Sequence, residues 1–463
     1  MRILHVYKDY YPVLGGIENH IRLLAEGEAA RGHRVAVLVT SLTPRTTVED
    51  RGGVRVIKAG RAATLSSTPI SLSLLVYLAR LRPDITHLHF PYPLGEMAHL
   101  LLGRGRPTVI TYHSDVVRQQ GWLRLYRPFL RQVLRRADRI IATSPHYVAS
   151  SPYLREVADR CRVIPLGIDV RQFQHADPEA VQALRARFGG PLLLFVGRLR
   201  YYKGLSHLLQ ALQGLPGVRL IVVGEGPMRG TWEAESQALG LGDRVYFVGE
   251  VPEEDLPAYY HACDLFVLPA DQRSEAFGAV LLEAMASGRP VVSTELGTGT
   301  SWVNRHGETG WVVPPGDPEA LRAAIQHLLG DEALRQRLGE AACRWAQEFD
   351  VQVLVDRVLA LYQEVLGARG RAGTGVQECA RRASMDEALR AEIAQRAREM
   401  GLDLTPRHWE ALEKVLAYYA EAEMLPTIRF LYRHFGREEA HRLFPQGMRT
   451  VAALLDKEPP EGC

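Results

Sequence analysis

The chain is poor in cysteine, has little net charge and lacks any long apolar run. Its five cysteines, Cys161, Cys263, Cys343, Cys379 and Cys463, are scattered and odd in number. That pattern opposes a disulfide framework and fits a reducing compartment. The formal net charge of +3 over 463 residues is too small to argue for nucleic acid as a partner. No apolar stretch approaches the ~20 residues of a membrane-spanning helix. The opening segment, MRILHVYKDYYP, lacks the apolar core of a secretory leader and reads as a strand entering a loop. These absences set the expectation of a cytoplasmic protein, with a peripheral position on the inner face of the cell membrane left open. Cysteine and histidine show no metal-ligand cluster, acidic residues form no metal motif, and no solenoid repeat is present. What is there is an ordinary globular balance, 46% hydrophobic and 24% charged, with length for two or three domains.

Short apolar runs alternate with helical stretches such as 19–31. Residues 3–7, 34–40, 85–89, 108–113 and 139–143 read as buried strands. The series restarts at 192–196, 219–223, 245–248, 265–268 and 290–293. Alternation of this kind predicts an α/β fold with parallel sheets covered on both faces. Two series in succession predict two Rossmann-like, doubly wound halves facing a cleft, residues 1–168 and 169–366. The joint is expected around Pro165-Leu166-Gly167-Ile168-Asp169, and residues 340–366 as one long helical tail. Residues 367–384 lack apolar periodicity and read as a linker. Residues 385–463 read as a small, mostly α module, with Thr405-Pro406 as cap and first turn of a helix.

The chemistry is concentrated in Ser274-Glu275-Ala276-Phe277-Gly278 and the Glu283 that follows. Glu275 falls in a loop and Glu283 inside the next helix. At the turn between them, Phe277 and Gly278 let a diphosphate approach the free N–H groups of the helix start. A carboxylate in the helix can accept hydrogen bonds from ribose hydroxyls, and one in the loop can reach a sugar. The layout suits a nucleotide-sugar. Gly15-Gly16, between the first strand and first helix, either presents amides to a phosphate or makes a tight turn. Gly197-Arg198 and Lys203-Gly204 follow the first strand of the second series. There the two cations either neutralise a diphosphate leaving group or form a solvated pair on a loop. His113, at a strand end in TYHSD, is either structural or a cleft group bonding a sugar hydroxyl or the acceptor. Residues 118–139 place Arg124, Arg127, Arg131 and Arg135 on one side of a helix. That helix either lies on anionic lipid or packs on the core with a solvated arginine face.

Together these pieces resemble the family 4 retaining glycosyltransferases of GT-B fold. The matching segments are GGIE at 15–18, TYHSD at 111–115, PLGIDVRQF at 165–173, GRLRYYKG at 197–204 and VGEGP at 223–227. They continue with SEAFGAVLLEAMASGRPVV at 274–292 and GETGWVVPPGD at 307–317. The resemblance implies that Arg198 and Lys203 hold the donor diphosphate, Glu283 the ribose and Glu275 the transferred sugar. It implies that Gly16 and His113 approach donor and acceptor from the first half. It further implies no metal or other cofactor, a nucleotide-diphosphate sugar as donor and a glycan or lipid-linked acceptor. In the implied front-face mechanism the leaving diphosphate takes the acceptor proton. GGIE and TELGTGTSWVNRHGETG look most like mannosyl- or rhamnosyltransferase-type members. Residues 385–463 resemble a second family, the DsrC/TusE-type sulfur-relay proteins, through LTPRHWEAL at 404–412, LPTIRFLYRHF at 425–435, LFPQG at 443–447 and PPEGC at 459–463. That resemblance implies a persulfide on Cys463, supplied by a sulfurtransferase partner, with Ala452 standing where two-cysteine members carry their second cysteine in the arm. Two other readings stay open: a sulfur-relay protein on an inactive transferase-like scaffold, and a GT-B nucleotide-sugar epimerase.

Overall fold

The restart of the strand pattern marks the start of a second sheet. The structure is a computed structural model that describes the chain except residues 12, 14, 66–67, 104, 116–119, 383–386, 423–425 and 457–463. The first half contains β1 (Arg2–Val6), β2 (Arg34–Thr40), β3 (Thr47–Arg51), β4 (Val54–Ala59), a small β5 (Ala63–Leu65) and β6 (Thr68–Ile70) pair, β7 (Ile85–Phe90), β8 (Thr108–Tyr112), β9 (Arg139–Ala142) and β10 (Cys161–Val163). Eight of these form one sheet in the order β10-β9-β8-β7-β1-β2-β4-β3. Its pairings are parallel except β3 against β4. β3, TVEDR, is exposed throughout, and its charges blunt an edge that apolar patterning cannot reveal. β7, ITHLHF, is buried at every position, as a central strand covered on both faces must be, although two of its residues are histidines.

The second half contains β11 (Leu192–Val196), β12 (Arg219–Val223), β13 (Val245–Gly249), β14 (Leu265–Leu268), β15 (Val291–Thr294) and β16 (Gly310–Val313). Their order is β13-β12-β11-β14-β15-β16, all parallel. The winding direction reverses between β11 and β14. In such sheets ligands bind beyond the carboxyl ends of the strands at that reversal.

The tail departs from the expected single helix at 340–366. Helix Glu332–Ala346 ends in a 3-10 turn, Gln347–Phe349, and a new helix starts at Val351. Asp350 makes the break: its side chain accepts from the Gln352 N–H at 2.8 Å, and the backbone of Ile168 bonds Phe349 and Val351 at 3.0 and 2.8 Å. The joint strand end and the tail thus fix each other. Val355, Val358 and Tyr362 then pack into the core of the first half. The new helix continues to Arg382, so 367–382, read as linker, is helical. Absent apolar periodicity removes a packed face, but the Ala and Arg in this stretch still favour helix.

Contacts divide the chain into two compact units, Met1–Val365 and Leu366–Cys463. The second holds helices Glu387–Glu399, Pro406–Ala422, Ile428–Phe435, Arg437–Leu443 and Met448–Leu455 around Ile393, Leu412, Val415, Leu431, Val451 and Leu454. The expected cap is reinforced by His408. Its Nε2 donates to the Leu443 carbonyl at 2.8 Å, so Nδ1 accepts from the Thr405 N–H at 3.1 Å. Cys463 and the PPEGC segment lie outside the described residues.

Candidate active site

The two sides of the β11–β14 reversal carry the two halves of one ion pair. After β11, Gly197 adopts φ +145, and a Cβ there would lie 3.3 Å from Lys203 Nζ. Lys203 ends the 3-10 turn Tyr201–Lys203. Gly204 follows in the left-handed region at φ +66, where a Cβ would sit 2.1 Å from the Pro269 carbonyl oxygen. Only glycine fits there, and it brings Lys203 against the chain leaving β14. On that side Glu275 Oε2 lies 2.6 Å from Lys203 Nζ, both residues being buried. Burial by itself would depress the lysine, but the Glu275 carboxylate outweighs it, and the net displacement is upward. Lys203 is therefore a buried, permanent cation.

The loop holding Glu275 is pinned. Thr298 Oγ1 donates to the Glu275 carbonyl at 2.9 Å, and the Gly299 N–H to the Ala276 carbonyl at 2.7 Å. Gly278, at φ +78, caps helix Ala279–Ala286 without a side-chain bond, and its carbonyl accepts from the Leu281 N–H at 2.8 Å. The Phe277 ring is 3% exposed and packs toward Phe349 in the core, so its contribution at this turn is its backbone. Glu283 lies within the helix, half-buried, and its Oε2 accepts from Tyr260 Oη at 2.6 Å. Burial pushes the Glu283 carboxyl up to about 7, against the lowering effect of that hydrogen bond. Tyr260 carries no sequence signal, since it sits in an unrelated helix, Leu256–Ala262.

The first half meets this site from the other side. Gly15 precedes helix Gly16–Ala30. A Cβ on Gly15 would strike the Glu18 carboxylate at 2.2 Å, whereas one on Gly16 meets nothing within 4 Å. Gly16 thus opens onto space. Glu18, the acid of GGIE given no role by its position in the sequence, is raised chiefly by burial, and Arg198 of the second half is among the charges that lower it. Arg198 itself is exposed. Arg22 pairs with Glu253 at 2.8 Å across the halves. Arg273 reaches Ser150 at 2.9 Å and Asp115 at 3.6 Å. His113, two residues before Asp115, is 4% exposed.

The sequence showed no clustering of histidine, and the fold corrects that. His5, His20, His87, His89 and His113 gather on one side of the first sheet, all buried. Two triplets, His5-His87-His89 and His20-His89-His113, bring ring nitrogens within 4.8 Å of one another. Four separate elements contribute, so no ligand spacing exists along the chain.

Helix Gln120–Arg136 buries Leu130, Val133 and Leu134 and exposes Arg127, Arg131, Arg135 and Arg136. The exposed face, with Pro128 and Gln132, lines a shallow groove of about 550 Å³. Phe129 beside it is 43% exposed. Arg118 and the side chain of Arg124 lie outside the described residues. Among the described residues no helix is long and apolar enough to cross a membrane.

Two doubly wound halves in contact, with a buried lysine–carboxylate pair and a second carboxylate at the strand reversal of one, define a GT-B-type transferase. Residues 177–345 match the family model described as glycosyl transferases group 1, residues 14–172 that of glycosyltransferase family 4, and residues 381–463 that of DsrC-like proteins. The chain is 40% identical over 353 residues to the D-rhamnosyltransferase WbpZ of Pseudomonas aeruginosa, spanning 75% of this chain and 92% of that one. It is 39% identical over 375 residues to the O-antigen chain mannosyltransferase C of Escherichia coli, spanning 80% and 100%. The solved sucrose-phosphate synthase of Thermosynechococcus elongatus superposes with a TM-score of 0.70 at 28% identity, covering 79% of this chain and 99% of that one. The chain belongs to this glycosyltransferase family and carries a DsrC-like module at 381–463.

Proposed function

We propose that the chain moves a mannose- or rhamnose-like hexose from a nucleoside-diphosphate sugar to a glycan or lipid-linked acceptor, with retention at the anomeric carbon. The observation that carries this reading is the buried Lys203–Glu275 pair beside Glu283 at the β11–β14 reversal. Glu283 accepts hydrogen bonds from the ribose, and the helix start at Gly278 faces the diphosphate. Lys203 and Arg198 meet the charge that grows on the departing diphosphate. Glu275 holds Lys203 in place and accepts from a sugar hydroxyl, and His113 contributes from the first half. The bond from C1 to the phosphate oxygen breaks as the acceptor oxygen bonds C1 on the same face. The acceptor proton passes to that phosphate oxygen, so no protein base is consumed. The rhamnosyl- and mannosyltransferase relatives support the choice of sugar. Intact Lys203, Glu275 and Glu283 oppose an inactive scaffold. The test is transfer from nucleotide-sugars followed by NMR of the product: retention of the donor anomer is expected, and inversion contradicts the mechanism.

The arginine face of helix Gln120–Arg136 supports a peripheral position on an anionic membrane, where a lipid-linked acceptor resides. For the DsrC-like module the proposal is sulfur carriage on Cys463, received from a sulfurtransferase partner. Ala452 is 2% exposed within helix Met448–Leu455, so this position is core and not arm, as its match to a second cysteine had implied. That favours simple transfer over an internal disulfide. Mass spectrometry after incubation with a persulfide donor enzyme should find one added sulfur on the C-terminal peptide, absent in Cys463→Ser. An exposed, reduced Cys463 that stays unmodified removes the relay reading.

A further inference from the structure

The buried histidines form an ordered chain that ends at His113. β8, β7 and β1 are adjacent strands, His5 is the register partner of His87, and His89 faces Thr111. Two-residue spacing puts His5, His87, His89 and His113 on one side of the sheet. Helix Gly16–Ala30 covers that side and supplies Glu28, which is fully buried. Glu28 Oε2 lies 2.8 Å from His5 Nε2, His5 Nδ1 lies 3.0 Å from His89 Nε2, and His89 Nδ1 lies 3.1 Å from His113 Nε2. His113 Nδ1 is buried and has no partner.

Each contact holds one proton, and a neutral imidazole carries one N–H. As a carboxylate, Glu28 can only accept. His5 must then donate from Nε2, which leaves its Nδ1 bare. His89 must donate from Nε2 to that nitrogen, and His113 from Nε2 to His89. Every contact is satisfied, and His113 is left with a bare Nδ1. Burial holds His89 and His113 well toward the neutral form, as the count requires. The opposite order needs one more proton, taken at His113 Nδ1, with every N–H shifted one contact along and Glu28 neutralised. His20 stands edge-on to His89 and His113, with ring centroids 5.8 and 5.2 Å away, and both its nitrogens are unpartnered. His87 bonds Tyr362 at 2.5 Å and Thr111 at 2.6 Å, and Tyr362 in turn reaches Glu28.

We propose that Glu28, His5 and His89 are positioning residues that lock His113 as the Nε2–H tautomer, presenting bare Nδ1 as the acceptor for a substrate hydroxyl. The hydroxyl part of this inference rests on the transferase reading above; the tautomer part does not. A lone histidine at this place would choose its tautomer to suit its ligand. This one is set by a carboxylate three contacts away, so the site selects for a hydroxyl that donates.

The experiment is long-range nitrogen–proton NMR of histidine-labelled full-length protein, with His113 assigned through His113→Gln. Wild type is expected to show His5, His89 and His113 all protonated at Nε2. A His113 protonated at Nδ1 or at both nitrogens overturns the proposal. So does loss of the N–H pattern on adding zinc at one equivalent, which would make the His20-His89-His113 group a metal centre. Glu28→Gln, which can donate as well as accept, should mix the tautomers and lower transfer about ten- to hundredfold, the penalty of mispairing one buried polar contact. Unchanged tautomer and unchanged transfer in a folded Glu28→Gln overturns it. A Glu28→Gln with mixed tautomers and full transfer separates the lock from the reaction and removes the hydroxyl role. Should that variant not fold, the wild-type spectrum alone decides.

Discussion

Replacing Lys203 by methionine keeps an unbranched stem as far as Cε and removes the charged Nζ. At 2.6 Å the Lys203–Glu275 pair attracts by about 6 kcal/mol at an effective dielectric constant near 20. Burying the two ions offsets much of that. Their net worth is therefore small, but the cost of removing one partner is not. Glu275 would be left about one-tenth exposed beside an apolar stem, a loss of about 3–5 kcal/mol. By the usual scaling, for a unit as long as Met1–Val365, this lowers Tm by roughly 4–7 °C. Glu275→Gln alone leaves the lysine unpaired and should destabilise by a similar amount. The double variant Lys203→Met/Glu275→Gln leaves neither charge and should recover most of the stability. Its transfer activity should still fall by about 10²–10³, the magnitude for losing a charge-stabilising group. Differential scanning calorimetry gives the first result, and release of nucleoside diphosphate the second. A Lys203→Met protein with wild-type Tm would show that the pair is not a buried unit. A double variant with wild-type turnover would remove Lys203 from the diphosphate site.

The Glu283 carboxyl, at about 7 in the folded chain against 4.5 ordinarily, gives a signed pH dependence. The folded state binds more protons than the unfolded between those values, so this group's contribution to stability falls as pH rises from about 4.5 to 7. Donor binding should instead strengthen through pH 7 as the carboxylate forms. Tyr260→Phe removes the bond that favours the carboxylate and should move the acid limb of kcat/KM to higher pH; an unmoved limb would show that Glu283 does not bind donor. Because Lys203 and Arg198 supply the cations, transfer should persist in excess EDTA, and complete, metal-reversible loss would contradict that assignment. Anionic liposomes should sediment the protein at low salt, less so as salt rises, and less for Arg127→Gln/Arg135→Gln; no sedimentation at low salt excludes the membrane reading.

The sequence reveals what local pattern can carry. Strands buried on both faces read as apolar runs, and Glu275, Gly278 and Glu283 declare their loop, cap and helix by spacing alone. β16 was not read, because its four residues directly follow the tight Gly307-Glu308-Thr309 turn. Side-chain partnerships were invisible for a different reason. Lys203 meets Glu275, and Tyr260 meets Glu283, only after β11 and β14 are set side by side. The histidines illustrate the point most sharply: His5, His87 and His89 lie in apolar strands and His113 just beyond one, and parallel register with the covering helix brings them together. Phe277 errs the other way, since its place in the motif suggests a ligand contact while its ring fills the core.

Isothermal titration with UDP- and GDP-hexoses tests the central claim most directly, because donor binding needs no knowledge of the acceptor. At least one nucleotide-sugar should bind the wild-type chain saturably at one site. The same sugar should bind Glu283→Ala, and the stable Lys203→Met/Glu275→Gln, at least about tenfold more weakly, one charge-assisted hydrogen bond's worth. Equal affinity for wild type and both variants would place the donor elsewhere and contradict the account.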